Sequence, residues 1–210
     1  MSRLRKAGYD TGLAELGSLD ADVLAQLERV ADDWRCGAPE RGFSMAMDSL
    51  RNPQGEKTLV LYATDERGAI RGFLHFVPTY GRDAVSLSFM RRQRDTPNGL
   101  TEFMIAEAIE RLRARGIAEV SLNFATFARL IREPHGIAER TLGRLVVLGD
   151  SWFQIERLYR FNAKFFPRWE PRYFMYESRF GLPRAGIAAL WLEGQLPKPK
   201  LRRRHEPAPA

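Results

Sequence analysis

Residues 86–125 read Ser86-Leu-Ser-Phe-Met-Arg-Arg-Gln-Arg-Asp-Thr-Pro-Asn-Gly-Leu100-Thr-Glu-Phe-Met-Ile-Ala-Glu-Ala-Ile-Glu-Arg-Leu-Arg-Ala-Arg115-Gly-Ile-Ala-Glu-Val-Ser-Leu-Asn-Phe-Ala125. Between Leu100 and Leu112, apolar residues recur three or four positions apart, and charged residues, Glu107 among them, fill the remaining positions. This spacing is typical of a helix with one buried face, which Gly116 then ends. Apolar runs on both sides predict strands. A strand, helix, strand unit places its two strands parallel, with the helix on one face of the sheet.

The loop before this helix is a candidate anion site. It carries Arg91, Arg92 and Arg94, and Asn98 and Gly99 form a turn immediately before the first helical residue. The first backbone N–H groups of a helix lack partners within it, and the helix dipole is positive there. The turn can therefore donate hydrogen bonds to a substrate, or it can simply begin the helix.

The pattern outside this stretch predicts further elements of both kinds. Helices are expected over residues 20–35, 140–148, 152–166 and 185–193, and strands over residues 58–64, 69–77 and 172–178. This order indicates an α+β fold, a mixed β-sheet with helices on both faces. It matches the acyl-CoA N-acyltransferase-like (GNAT-like) fold. Arg94 and Gly99 offer a single glycine where CoA binders of that fold carry a pair, which argues against ordinary CoA binding.

Composition and charge limit the possible functions. The 210 residues suit one core, and we expect a single domain over residues 1–195. The formal charge of +7 is concentrated at the two ends, and residues 196–210 form a basic, Pro-rich tail that we expect to be disordered. The tail could bind anionic lipid or RNA, or be solvated without a partner. One cysteine and three scattered histidines predict no disulfide and no metal site. No apolar run suits a membrane span or a secretory signal, so we expect a cytoplasmic location.

Several separated motifs resemble one bacterial family over residues 4–180. They are Asp33-Trp34, Glu40-Arg-Gly-Phe-Ser-Met45, Ser88-Phe-Met-Arg91-Arg92, Pro97-Asn98-Gly99 with Glu102, Ser121-Leu-Asn123-Phe-Ala125, Phe153-Gln-Ile-Glu156-Arg157 through Lys164, and Pro167-Arg-Trp169-Glu-Pro171-Arg172-Tyr173. This set is similar to the C-terminal cytosolic domain of phosphatidylglycerol lysyltransferases, also called multiple peptide resistance factors.

The resemblance implies an activity and its partners. Members of this family transfer an aminoacyl group from aminoacyl-tRNA to a hydroxyl of phosphatidylglycerol, without a cofactor. Their soluble part contains two tandem acyltransferase-type folds behind a membrane-embedded region, and this chain matches the second fold. The implied partners are therefore tRNA, an anionic membrane surface and a membrane-embedded or first-half partner chain. The implied location is peripheral, at the inner face of the cell membrane.

The resemblance also implies roles for individual residues. Arg91 would hold a lipid phosphate or the ester oxygen, and Ser88 stands where many relatives carry an aspartate, whose charge a serine cannot replace. Glu156 is the best remaining carboxylate for a general base, although a helical glutamate beside Arg157 is also typical of a surface ion pair. The substrate-binding candidates are Asn98, Gly99, Asn123, Arg157, Lys164, Arg172 and Tyr173.

Two other functions remain open from the sequence. The same fold could serve a CoA-dependent N-acyltransferase, or a non-catalytic lipid- or RNA-binding module. His75 lies within an apolar strand and is interpreted as a structural histidine rather than a catalyst.

Overall fold

The computed structural model describes residues 2–37, 50, 57–123, 136, 159–171, 173, 175, 178 and 181–192. In chain order the elements are α1 (Ser2–Lys6), β1 (Asp10–Glu15), α2 (Ala21–Arg35), β2 (Leu59–Thr64), β3 (Ile70–Thr79), β4 (Ala84–Arg92), α3 (Leu100–Ala114), β5 (Glu119–Ser121) and α4 (Leu182–Leu192). Residues 159–163 are also helical.

The described strands form one mixed sheet in the order β1-β2-β3-β4-β5. The first four strands pair antiparallel, and β4 pairs with β5 in parallel. The parallel pair is the one joined through α3, as a strand, helix, strand unit requires. The predicted strand, helix, strand order of residues 86–125 is therefore confirmed, but the second strand ends at Ser121, before its predicted end at Ala125. Residues 124 and 125 lie outside the described residues.

Helices cover both faces of the sheet. On one face, α3 buries apolar side chains such as Leu100 and Met104 against Leu61, Leu74 and Val85. On the other face, Leu27, Val30 and Ala31 of α2 pack against Val60 and Phe73. Helix α2 begins as predicted, because the side chain of Asp20 accepts a hydrogen bond from the backbone N–H of Val23. The predicted α+β architecture is confirmed.

Three local features differ from what the sequence predicted. Strand β3 continues through Pro78 to Thr79, whereas the sequence predicted its end at residue 77. Glu107 is buried although its position on α3 predicted exposure, because Arg5 of α1 donates a hydrogen bond of 2.6 Å to its carboxylate. Strand β1 was not predicted at all. It pairs with β2 from Asp10↔Thr64 to Glu15↔Leu59 and forms the edge of the sheet.

Several other predicted elements lie outside the described residues. These are the helix over 140–148, the first part of the helix over 152–166, most of the strand over 172–178, and the tail over 196–210. The predicted division into a domain over 1–195 and a tail stays a prediction. The C-terminal helix α4 begins at Leu182, three residues before its predicted start.

Candidate functional site

A β-bulge at Ser88 sets the direction of the side chains at the end of β4. Phe76 of β3 pairs with Leu87 and His75 pairs with Phe89, so Ser88 is the extra residue of β4. An extra residue reverses the alternation of side chains between the two faces of a strand. Leu87 therefore packs with α3, whereas Phe89 packs with the α2 cluster.

Arg91 follows Phe89 onto the α2 face. Its guanidinium carbon lies over the Phe89 ring, 4.4 Å from the ring centroid, and only 9% of the residue is exposed. Burial, reinforced by the positive charge of Arg35, lowers the pKa of Arg91 to about 10, against the smaller opposing effect of Asp32. The side chain remains cationic at neutral pH. The fold thus keeps a charge where desolvation disfavours it, and an anion beside it would be stabilised.

The end of α2 supplies charged residues that the sequence did not suggest for the site. Asp32 and Arg35 form an ion pair in the last turn, and Asp33 accepts a hydrogen bond of 2.9 Å from the backbone N–H of Arg94. Asp33 belongs to one of the resembling motifs, but Asp32 and Arg35 carry no motif. The sequence shows that Asp32 and Arg35 lie in the last turn of an amphipathic helix. That position alone does not reveal that the end of α2 approaches the end of β4.

Arg92 lies on the opposite face of the sheet from Arg91. Gly72 is the cross-strand partner of Arg92, and a Cβ added at Gly72 would lie 3.2 Å from the Arg92 Cβ and 3.1 Å from the Met104 side chain of α3. Arg92 therefore faces α3, where it donates a 2.7 Å hydrogen bond to the Thr96 hydroxyl. Arg91 and Arg92 therefore face opposite sides of the sheet, and the expectation that Arg91 and the N-terminus of α3 act on one anion stays a prediction.

The N-terminus of α3 begins at Gly99, whose φ of 94° is in the left-handed region that glycine adopts readily. Both Asn98 and Gly99 are exposed. Glu102 lies in the first turn, where its negative charge interacts favourably with the helix dipole. Lys164 donates a 2.7 Å hydrogen bond to Glu102. Burial opposes ionisation of Glu102, but the Lys164 hydrogen bond and backbone N–H outweigh it, so its pKa lies below the usual range.

Strand β5 pairs along its whole length with the first three residues of β4. The parallel pairs run from Ala84↔Glu119 to Ser86↔Ser121. Beyond them, the side chain of Asn123 donates a 3.3 Å hydrogen bond to the carbonyl of Leu87, beside the bulge residue Ser88. Asn123 adopts a φ of 70°. The structure therefore places the Asn123 side chain against the backbone of the residue that precedes Ser88.

The remaining candidate residues are spread more widely. Tyr173 is 79% exposed, and Lys164 is exposed and paired with Glu102. Glu156, Arg157 and Arg172 lie outside the described residues, so their predicted roles stay predictions. Among the residues that the structure describes, no group of three or more His, Cys, Asp or Glu side chains is arranged to hold a metal ion.

His75 is fully buried next to this site. Its Nε2 lies 2.9 Å from the Thr58 hydroxyl, and its ring stacks on Phe89 with 4.6 Å between centroids. Burial lowers the pKa of His75 to about 4, so the ring is neutral at physiological pH. These contacts agree with the structural role expected from its position in an apolar strand.

The mixed sheet, with α2 on one face and α3 on the other, defines a protein of the acyl-CoA N-acyltransferase-like fold. Two solved structures share it. L-PGS from Bacillus licheniformis matches with a TM-score of 0.69 and 19% identity, over 93% of this chain and 58% of that chain. A C-terminal domain from Agrobacterium fabrum, described as belonging to a lysylphosphatidylglycerol synthetase, matches with a TM-score of 0.69 and 22% identity, over the same shares.

The family is shown by sequence. This chain belongs to the family described as phosphatidylglycerol lysyltransferase, C-terminal, whose model matches residues 1–176. It is 38% identical over 208 residues to the lysylphosphatidylglycerol biosynthesis bifunctional protein LysX of Gordonia bronchialis, and 36% identical over 217 residues to LysX of Mycobacterium tuberculosis. These matches cover 94% and 99% of this chain but only 18% of each relative. The resemblance seen in the sequence motifs is confirmed.

Within the described part of the chain, no helix combines the length and apolar character that crossing a bilayer requires.

Proposed function

We propose that this chain takes part in aminoacyl transfer, of lysine in particular, from aminoacyl-tRNA to a hydroxyl of phosphatidylglycerol. The observation that carries the proposal is membership of the phosphatidylglycerol lysyltransferase family over residues 1–176. Its relatives are named for lysylphosphatidylglycerol biosynthesis, and 94% of this chain aligns with one of them at 38% identity. The lysyl group and the tRNA donor are the finer parts of the proposal.

The reaction is a transesterification. The oxygen of a lipid hydroxyl attacks the carbonyl carbon of the aminoacyl ester, and the bond from that carbon to the ribose oxygen of the tRNA breaks. The proton of the lipid hydroxyl ends on the released ribose hydroxyl. Negative charge develops on the carbonyl oxygen in the tetrahedral state, and a preorganised cation or N–H donor lowers the barrier.

Arg91 is the residue best suited to meet a negative charge. Only 9% of the residue is exposed and its guanidinium lies against Phe89, so an anion that approaches it is attracted through a medium less polar than water. Guanidinium groups also bind phosphate through paired hydrogen bonds. We assign Arg91 to the lipid phosphate or the ester oxygen, with Ser88 and Asn123 at the neighbouring strand end. Glu156 remains the proposed base.

The partners follow from the reaction and from the relatives. Aminoacyl-tRNA is the proposed donor, and phosphatidylglycerol at the anionic inner face of the membrane is the proposed acceptor. The chain spans 18% of the length of the curated relatives it matches. We therefore propose that a membrane-embedded or first-half partner chain contributes to the complete reaction, with this chain peripheral on the cytoplasmic side.

The test measures transfer of labelled lysine from charged tRNA into phosphatidylglycerol. Wild type is compared with Arg91→Ala and with Arg113→Ala, a matched control because Arg113 is exposed in the last turn of α3. We expect Arg91→Ala to lose at least about a hundredfold in rate, as for the loss of one donor to a developing oxyanion, and Arg113→Ala to keep the wild-type rate.

The alternatives give different results in the same assay. Equal rates for the three proteins would remove Arg91 from the site. The assay is repeated with membranes that contain the parts of the relatives that this chain lacks. Lipid binding without transfer in both settings would indicate a non-catalytic module. A rise in melting temperature with acetyl-CoA would instead favour a CoA-dependent N-acyltransferase.

A further inference from the structure

The C-terminal part of the described chain carries an unusual share of exposed apolar surface. Among the described residues, ten large hydrophobic side chains are exposed, and seven of them lie between residues 166 and 191. Single exposed apolar side chains are normal on a protein surface, whereas grouped ones mark interaction sites. The family model ends at residue 176, so α4 lies beyond the segment that defines the family.

The apolar side chains of α4 are grouped along the helix. Ile187 is 60% exposed and Trp191 is 50% exposed, and four positions of separation make them neighbours on one side of a helix. Leu182 at the start of α4 is 43% exposed. The only charged residue of α4 is Arg184, whose long aliphatic stem can lie along an apolar surface while its head stays in water.

A strongly basic segment follows this helix. Residues 198–204 contain Lys198, Lys200, Arg202, Arg203 and Arg204, and no acidic residue. The structure of this segment lies outside the described residues, but its charge is fixed by the sequence. An apolar helix followed within a few residues by five cations matches the two requirements of interfacial membrane binding, buried apolar area and attraction to anionic lipids.

We infer that α4 docks on the surface of an anionic lipid bilayer, and that the positive charge of residues 198–204 adds to the attraction. Helix α4 has 11 residues and is about 16 Å long, roughly half of the hydrocarbon thickness, so it lies in the interface plane and does not span it. Ile187 and Trp191 enter the boundary between headgroups and acyl chains. The five cations of residues 198–204 are attracted electrostatically to the lipid phosphates. Tryptophan is favoured at this depth because its ring is amphipathic.

Other occupants fit the same surface less well. A second copy of the chain would bring two basic segments together, and like charges in proximity oppose association. RNA would neutralise the basic segment but offers no apolar phase for Ile187. The inference rests on the proposed function, which places the chain at an anionic membrane, and it names the helix that makes the contact.

The experiment is co-sedimentation of the full chain with vesicles of phosphatidylglycerol and phosphatidylcholine in equal parts, and with vesicles of phosphatidylcholine alone. The variants are Ile187→Ser/Trp191→Ser, Arg203→Gln/Arg204→Gln, and the matched control Tyr80→Ser, whose side chain is 81% exposed in the turn between β3 and β4. We expect each α4 or tail variant to bind the mixed vesicles at least roughly tenfold more weakly, and Tyr80→Ser to bind like wild type.

Fluorescence locates the contact independently of any loss of folding. Quenching of tryptophan emission by brominated lipid is expected in wild type and should be largely lost in Trp191→Phe, which keeps an apolar ring. Wild-type binding by all variants, or quenching unchanged in Trp191→Phe, would overturn the inference. A dimer in lipid-free solution that Ile187→Ser/Trp191→Ser dissociates would also overturn it, in favour of a second copy.

A separate measurement tests the proposed function. Transfer of lysine to short-chain, monomeric phosphatidylglycerol needs no bilayer, so we expect Ile187→Ser/Trp191→Ser to keep it while losing binding to vesicles. Loss of transfer in wild type would remove the proposed function and leave the vesicle result standing.

Discussion

The guanidinium carbon of Arg91 lies 4.4 Å from the centre of the Phe89 ring, two residues earlier on the same strand. The Phe89 ring contacts two side chains of the neighbouring strand β3, because it stacks on His75 and lies edge-on to Phe73. The position of the buried cation therefore depends on aromatic contacts that anchor Phe89 in the sheet. This relationship makes Phe89 a positioning residue for Arg91 in the proposed reaction.

Replacement of Phe89 by leucine should weaken the proposed transfer without abolishing it. A cation–π contact contributes roughly 0.5–2 kcal/mol, which corresponds to about a two- to thirtyfold lower kcat/KM. The measurement is the rate of lysine transfer, normalised to folded protein from the thermal unfolding curve. Phe89→Tyr keeps the ring and should keep the rate. Equal losses in both variants would show that the ring does not hold Arg91.

Introduction of an aspartate at position 88 should increase transfer. The family resemblance implies a carboxylate at this position, and proton transfer by a positioned side chain is typically worth a hundredfold or more, so a gain of at least about tenfold is expected. The matched control is Ser86→Asp, two residues earlier on β4 and also half-buried. A gain in both variants, or in neither, would argue against a role for the side chain at the bulge.

The direction of Arg91 could not be predicted from the sequence. In a regular strand, side chains two residues apart share a face, so Val85 and Leu87 would place Arg91 on the α3 side. The bulge at Ser88 changes this by one residue and turns Arg91 toward α2. A bulge depends on the pairing with the neighbouring strand, which local sequence does not reveal. The helices α2 and α3 were predictable because long periodic runs specify them.

Strand β1 was missed for a related reason. Its sequence, Asp10-Thr-Gly-Leu-Ala-Glu15, lacks the alternation of a half-buried strand. Tertiary contacts hold it instead. Arg111 of α3 donates a hydrogen bond of 2.6 Å to the carbonyl of Thr11. Arg115, the residue that follows α3, donates one of 2.7 Å to the carbonyl of Leu13. These bonds satisfy backbone groups that an edge strand would otherwise leave open.

Gly12 is required where β1 passes Tyr62. A Cβ added at Gly12 would lie 2.4–2.7 Å from atoms of the Tyr62 ring and hydroxyl, closer than atoms can pack. Gly12→Ala should therefore lower the free energy of unfolding by about 1–3 kcal/mol, as overpacking typically does. Chemical denaturation measures the change. In a Tyr62→Ala background the same substitution should cost almost nothing, and an undiminished cost there would locate the strain elsewhere.

The salt bridge between Glu102 and Lys164 allows a test of whether Lys164 binds substrate, because substitution of each partner should then change transfer in opposite directions. Both side chains are partly exposed, so the salt bridge should contribute less than about 1 kcal/mol to stability. If Lys164 binds a substrate phosphate, Lys164→Ala lowers transfer, whereas Glu102→Gln releases the ammonium and lowers KM. The measurement is steady-state kinetics against lipid concentration. A fall in transfer in both variants would instead assign the pair a structural role at the start of α3.

His75 should make the fold sensitive to acid. Burial lowers its pKa to about 4 in the folded state from the ordinary value of 6.5, so the unfolded chain takes up a proton first as the pH falls. Stability is then unaffected by His75 above about pH 6.5 and declines between pH 6.5 and 4. The full loss amounts to about 3 kcal/mol.

The control is His75→Gln, which cannot titrate in this range and can still hydrogen-bond to the Thr58 hydroxyl. Urea unfolding at intervals from pH 7.5 to 4 should show a steeper decline in wild type than in the variant, because carboxylates contribute equally to both. Parallel curves would mean that His75 is protonated in the folded state or reaches solvent. The stacking of His75 on Phe89 connects this measurement to the site, since protonation of the ring would disturb the support of Arg91. In the folded protein the ring takes up a proton only near pH 4, so a loss of transfer activity from this cause is expected near pH 4 and not at higher pH.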